Sequence, residues 1–191
     1  FLPNVADYVG TLGEELSIYY CVDEWSMFSY LDRAQTVAQE QKLLAKVDAV
    51  FAINEPLAAA KRRENPNTFL APHGVDHALF ARALAPATVI PPDLAALPGP
   101  RIGFYGTIQD WIDFPLNSEL VRRRPAGHFL RLGQVLTDLS RIASMPNIHV
   151  PVQRPHALLP ACCTGSVVGW FATAPDDRSP VTNPLRLRQH P

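Results

Sequence analysis

The chain has 191 residues, 47% of them hydrophobic, and its 17 lysine and arginine residues nearly balance its 18 aspartate and glutamate residues. This length allows one large or two small domains, and the balanced charge argues against a nucleic-acid-binding surface. No apolar run approaches the roughly 20 residues that a membrane-spanning helix requires. The cysteines, two of them adjacent at Cys162 and Cys163, form neither a disulfide framework nor a Cys-x-x-Cys site, so we expect a reducing, cytosolic compartment.

The first part of the chain alternates short apolar runs with helical patterns. The β-favouring composition of SIYYCVD predicts a strand over 17–23, and similar runs predict strands over 49–54 and 68–72. Apolar residues recur at helical spacing over 31–47, and Asn54 is suited to cap a second helix. This alternation predicts an α/β fold, in which helices cover a parallel sheet.

The segment over 77–100 interrupts the alternation, because prolines punctuate it and no periodic pattern persists. Such a segment is typical of an interdomain linker. The alternation resumes at RIGFYGT, over 101–107, which predicts a strand that ends in a glycine-bearing turn. Asp113 is then suited to cap a helix over 114–124. Three further strands are predicted over 128–133, 148–152 and 166–173.

The glycines of RIGFYGT predict a phosphate site. Gly103 and Gly106 remove side chains where backbone N–H groups can face a ligand. Glycines at this spacing are also common in parallel sheets, so a purely structural role is the alternative. Far downstream, Asn183 and Pro184 predict a helix start, since proline is tolerated at the first helical position.

Two groups of polar residues follow predicted strands in the first part. Asp23 ends the first strand, at the edge where open α/β sheets bind ligands, although a cap or turn role is the alternative. His73, Asp76 and His77 raise the alternative of a metal site. Gly74 disfavours the helical arrangement that such a site would use.

Five segments in order resemble bacterial glycosyltransferases of the GT-B fold, in the large group 1 or family-4-like set. These segments are 19–28, 65–80, 101–113, 138–150 and 176–188. The resemblance covers nearly the whole chain and implies two Rossmann-like domains. The first, on the acceptor side, is partial and spans 1–76. The second, on the donor side, is incomplete and spans 101–191, and 77–100 is the linker.

The resemblance implies an enzyme of hexosyltransferase type. Such an enzyme moves a sugar from a nucleotide-sugar donor to an acceptor hydroxyl in exopolysaccharide or surface-glycan biosynthesis. It implies a glycan or a lipid-linked acceptor, no cofactor and no metal, since the nucleotide-sugar is a substrate. We expect a cytoplasmic protein, with the inner face of the membrane as the alternative location. The outer parts of both domains are expected to be missing, so we expect this chain to be a fragment with little or no transferase activity.

The resemblance also assigns roles to individual residues. Donor binding falls to six of them: Gly103, Gly106, Thr107, Asn183, Pro184 and Arg186. Arg186 stands where the family has lysine, and Gln189 where it has a ribose-binding glutamate. Asp23 is the catalytic candidate, although Val22 replaces the histidine that precedes this carboxylate in the family. Gly74 matches the hinge glycine. Two alternatives stay open: a non-catalytic remnant that binds a nucleotide or a partner, and a nucleotide-sugar epimerase of the same fold.

Overall fold

The computed structural model describes residues 2–150, 153–166 and 168–169. These residues divide into two compact units, one ending at Gly74 and the other beginning at Val75. Each unit has a parallel sheet with helices between its strands, so the α/β class predicted from the alternation is confirmed. Within the described ranges, no helix has the length and hydropathy needed to cross a membrane.

The first unit contains a three-stranded parallel sheet in the order β1–β2–β3. Its strands are Ile18–Cys21 (β1), Ala49–Ala52 (β2) and Thr68–Leu70 (β3). Helix α1, Arg33–Lys46, connects β1 to β2, and helix α2, Glu55–Arg62, connects β2 to β3. Each element lies within its predicted segment, which confirms the predicted order of strands and helices.

Side-chain caps fix where the two helices begin. The carboxylate of Asp32 accepts a hydrogen bond from the backbone N–H of Gln35 at 2.7 Å. Asn54 accepts one from the N–H of Leu57 at 2.8 Å, as its position in the sequence predicts. Each cap satisfies an N–H group that the first turn of a helix leaves without a partner.

The two faces of the first sheet differ in burial. One face packs against α1 and α2, and its core includes Tyr19, Cys21, Val50, Leu43 and Leu57. A short 3-10 helix, Pro3–Asp7, packs against α1. The opposite face carries apolar side chains that are about half exposed, namely Ile18, Tyr20 and Phe69.

The second unit contains a parallel sheet in the order β6–β5–β4–β7. Its strands are Arg101–Tyr105 (β4), His128–Leu132 (β5), Ile148–His149 (β6) and Val168–Gly169 (β7). The remainder of the strand predicted over 166–173 lies outside the described residues. Since later strands lie on both sides of β4, the strand order reverses beside it. The carboxyl edge next to such a reversal is where open α/β sheets bind ligands.

In the described part of the second unit, five segments are α-helical: α3 (His77–Ala81), α4 (Pro92–Ala95), α5 (Phe114–Arg123), α6 (Ser140–Ala143) and α7 (Leu159–Thr164). Helix α5 connects β4 to β5. It begins at Asp113, which accepts a hydrogen bond from the N–H of Leu116 at 2.8 Å and so confirms the predicted cap. Pro115 lies in the first helical turn, where its missing N–H costs nothing.

The proline-rich segment predicted as a linker is packed into the second unit. Its helices α3 and α4 belong to that unit. Leu94 is 1% exposed and contributes to a core cluster with Leu130 and Cys162. Thr164 also donates a hydrogen bond to the backbone oxygen of Ala83 at 2.8 Å. The helices are too short, and the prolines too frequent, for the sequence to show a helical period here.

Candidate functional site

The loops that follow β4 and β5 lie side by side at the carboxyl edge of the second sheet. Tyr105 pairs with Leu132 at the ends of these strands, so Gly106 and Gly133 occupy matching positions just beyond them. A Cβ atom on Gly133 would lie 1.9 Å from the backbone oxygen of Gly106. Only a residue without a side chain fits at Gly133, which keeps the two loops in contact.

A cavity of about 340 Å³ opens at these loops. Its volume falls within the range of roughly 300–1,000 Å³ that is typical of ligand-binding cavities. Loop residues from three successive strands contribute to its lining, and the polar or small ones are Gly106, Thr107, Gly133, Gln134, Gln153 and Arg154. The cavity therefore lies where the topology of the second sheet predicts a ligand site.

The charge of this cavity favours an anion. Arg154 and His156 line it, whereas the described lining includes no aspartate or glutamate. The guanidinium of Arg154 contacts the carboxylate of Asp93 through Nη2, which neutralises part of its charge. Its Nε is buried and has no acceptor among the described residues. An arginine fork of this kind matches the geometry of phosphate oxygens.

Tyr105 forms a rigid wall of the cavity. Its hydroxyl donates to the backbone oxygen of Cys162 at 3.0 Å and lies 2.7 Å from the Ser166 hydroxyl oxygen. Burial raises the pKa of Tyr105 well above its usual value, so the phenol stays protonated. A Cβ on Gly103 would lie 2.5 Å from this hydroxyl, so Gly103 makes room for the Tyr105 side chain within β4.

The carboxyl edge of the first sheet brings together a carboxyl, an imidazole and a phenol. Asp23 follows β1 and is half-buried, and this burial raises its pKa to about 6 while the charge of His73 opposes the rise. The Tyr20 hydroxyl lies 3.4 Å from Nδ1 of His73, and the two rings meet edge to face. A carboxyl that titrates near neutral pH is suited to exchange a proton with a ligand hydroxyl.

A buried ion cluster supports the loop that carries Asp23. Lys61 is 7% exposed, and its ammonium lies 2.8 Å from Glu24 and 2.7 Å from Glu40. The Tyr19 hydroxyl donates to Glu40 at 2.8 Å. Burial alone would raise the pKa of Glu24, but the hydrogen bond and charge of Lys61 lower it. Glu24 is therefore held as a carboxylate immediately beside Asp23, which fixes the course of the chain there.

The predicted site residues have different positions in the structure. Gly106 and Thr107 line the second-unit cavity, and Gly74 directly precedes Val75, where the second unit begins. Asp76, a candidate metal ligand, caps α3 by accepting from the N–H of Leu79 at 2.9 Å. No cluster of three or more potential metal-ligating side chains occurs in the described part of the chain. Three donor-site predictions lie outside the described residues: Asn183, Pro184 and Arg186.

Sequence reasoning missed Gly133, Arg154 and His156. Gly133 had a usable signal, because RIGFYG and HFLRLG both end in glycine and pair in register. Arg154 carried no such signal, since it stands alone in a proline-rich loop. No protein-family model and no curated protein matches this chain.

Proposed function

We propose that this chain is a glycosyltransferase that uses a nucleotide-sugar donor and has the two Rossmann-like domains of the GT-B fold. The second unit binds the diphosphate of the donor, and Asp23 of the first unit is suited to orient a sugar hydroxyl. The acceptor is a hydroxyl of a glycan or a lipid-linked sugar in surface-glycan biosynthesis. The five ordered segments that resemble this family motivate the proposal.

The observation that carries the proposal is the second-unit cavity. It lies at the carboxyl ends of β4 and β5, beside the reversal of strand order. Its loops leave room at Gly106 for a ligand, and Arg154 supplies a cation with a donor that no described residue uses. These features suit a diphosphate, which needs positive charge and several hydrogen-bond donors.

The chemistry explains why each part is needed. Transfer breaks the bond between the anomeric carbon of the sugar and a diphosphate oxygen, which keeps the electron pair. The anomeric carbon then bonds to the acceptor oxygen, and the proton of the acceptor hydroxyl passes to the departing diphosphate. Negative charge grows on the leaving diphosphate, where Arg154 stabilises it most strongly as the bond breaks.

Calorimetric titration of the purified chain with UDP and with GDP tests the proposal. We expect saturable binding of at least one, and a loss of roughly tenfold in affinity for Arg154→Gln, since a charged hydrogen bond is removed. Arg123→Gln is the matched control, because Arg123 is exposed and pairs only with Glu119 among the contacts described for its side chain. It should bind like the unmodified chain. Gly106→Trp, which places a large ring at the cavity, should abolish binding.

Absence of binding to either nucleotide, in a chain whose fold is verified by circular dichroism, would overturn the donor-site proposal. Binding that Arg123→Gln weakens as much as Arg154→Gln would also overturn it, because general electrostatic attraction would then suffice.

A further inference from the structure

Two histidines connect the edge of the second sheet to its interior. His149 ends β6, which lies at one end of the described strand order, and His128 begins the neighbouring strand β5. Nδ1 of His128 lies 2.9 Å from Nε2 of His149, and the planes of the two rings are 22° apart. One of these nitrogens must donate a proton and the other must accept it, so the pair holds a single proton between its two rings.

Strand β6 is short and lies at the edge of the described sheet. Its two residues, Ile148 and His149, lie in register with Phe129 and Leu130 of β5. The backbone N–H of Phe129 also donates to the backbone oxygen of Asn147 at 2.8 Å. Ile148 packs with Phe129 in a core cluster, which holds β6 in place at neutral pH. Because so few bonds join β6 to its neighbour, we expect this strand to open locally before β4 and β5 separate.

The charges around the histidine pair oppose a second proton. On β4, Arg101 lies in register with His128, so it places a permanent positive charge on the adjoining strand. Its guanidinium donates to backbone oxygens, among them those of Leu94 and Gly165. Burial, and then the charge of His128, lower the pKa of His149, and no described carboxylate opposes this effect. A second proton on the pair would therefore meet positive charge without a described counter-charge.

A second proton would turn both facing nitrogens into donors and would bring two positive rings into contact. The hydrogen bond that joins β5 to β6 would be lost, and repulsion between the rings would replace it. We propose that the His128–His149 pair is a pH switch that releases β6 from β5 on acidification. Above about pH 6.5 one shared proton joins the two strands, and below it the second proton separates them while β4 and β5 stay paired. The switch consists of side chains outside the candidate cavity, so it does not depend on nucleotide binding.

Amide hydrogen exchange on the full chain, with no nucleotide added, tests the switch. The N–H of Phe129 reports on the pairing of β5 with β6, because it donates to Asn147. The N–H of Gly106 is the reference, because it donates to the backbone oxygen of Leu132, at the ends of β4 and β5, at 3.0 Å. After correction for intrinsic exchange rates, protection at Phe129 should fall about tenfold from about pH 7.5 to about pH 5.5, since one proton is taken up on opening. Protection at Gly106 should stay constant.

Substitutions separate the switch from a general effect of acid. His128→Gln and His149→Gln each leave one ring that can titrate, so no doubly charged pair forms and protection at Phe129 should no longer fall on acidification. His77→Gln is the matched control, since His77 is exposed on α3 of the same unit, and it should keep the pH dependence of the unmodified chain.

Three results would overturn the switch. One is equal protection of Phe129 at the two pH values in the unmodified chain. Another is an equal loss of protection at Gly106, which would show that acid loosens the whole sheet. The third is a pH dependence that persists in both glutamine variants. None of these results depends on UDP or GDP binding, so this proposal and the donor-site proposal fail separately.

Discussion

The two units share one plan and differ in the charge at their carboxyl edges. In the first unit, that edge carries Asp23 and a cavity lined by two carboxylates. In the second unit, the corresponding cavity is lined by Arg154 and His156, with no carboxylate in its described lining. Since both sheets are parallel and both place loops at this edge, the topology alone does not distinguish the ligands. The side chains that line the cavities do differ, with Asp7 and Asp32 in the first unit and Arg154 and His156 in the second.

The units also contain different contacts that a substitution can disrupt. The first buries a charged cluster in which Lys61 joins Glu24 and Glu40. In the second, two loops at the carboxyl edge of the sheet approach closely, and the backbone at Gly133 lies against Gly106. A buried charge tolerates no loss of its partner, and a backbone contact tolerates no added atom. We therefore expect the first unit to be destabilised most by removal of a charged partner and the second unit by addition of a side chain at the loop contact.

Lys61→Met should have the largest effect on stability. It leaves two carboxylates facing each other with no cation, and breaking a buried ion pair in this way costs about 3–5 kcal/mol. The free energy of unfolding of the first unit, measured by hydrogen exchange at the amides of β1 and β2, should fall accordingly. Amides of β4 and β5 report whether the second unit is affected.

Lys42→Met is the control for that substitution. Lys42 pairs with Asp7, but both side chains are about half exposed, so solvent screens the pair and little change is expected. Equal destabilisation by the two lysine substitutions would show that burial of the Lys61 cluster has no special energetic role.

Gly133→Ala should produce the next largest effect, this time in the second unit. The added methyl group would lie 1.9 Å from the Gly106 oxygen, so the two loops must separate, at a cost of about 1–3 kcal/mol. Gly74→Ala is the control, because a Cβ there meets nothing within 4 Å. Urea unfolding measures both. If Gly133→Ala is as stable as Gly74→Ala, the loops are not held by this contact.

The strands, the helices and some of the candidate site residues depend on local sequence patterns, so they could be predicted from the sequence. Alternating apolar and amphipathic segments gave the strands and helices, and Asn54 and Asp113 gave helix starts through short-range hydrogen bonds. Asp23 and Gly106 stood out because they follow strands, where ligand-binding residues of α/β proteins lie.

The buried ion cluster and the two cavities could not be predicted, because they depend on contacts between residues that are far apart in the chain. Lys61 is 37 positions from Glu24 and 21 positions from Glu40, and no local pattern distinguishes these residues from surface charges. Arg154 and Asp93 meet across 61 positions. The polar cavity beside α1 has the same origin, since it exists only because the 3-10 helix folds back onto α1. Hydrophobic periodicity carries no information about such pairings.

The smallest effect we predict is a pair of opposite pH dependences. Asp23 has a pKa raised by burial from 3.8 to about 6, so its contribution to first-unit stability is full below pH 3.8 and is lost as pH rises to about 6. Burial, and then the nearby His128, lower the pKa of His149, so its contribution to second-unit stability is present above pH 6.5 and is lost on acidification. Asp23→Asn should therefore gain stability relative to the unmodified chain as pH rises through 4–6.

His149→Gln should gain relative stability in the other direction, as pH falls below 6.5, and its gain should be confined to the amides of the second unit. Asp48→Asn provides a control of opposite sign in the first unit. The N–H and hydroxyl of Ser17 bind the Asp48 carboxylate and lower its pKa, so this variant should lose relative stability as pH rises through the normal titration range of aspartate. A profile for Asp23→Asn that is flat, or that runs parallel to the profile of Asp48→Asn, would mean that burial does not raise the pKa of Asp23. Its suitability for exchanging a proton with a ligand hydroxyl would then lose its physical basis, because only desolvation brings that carboxyl into the range where it titrates near neutral pH.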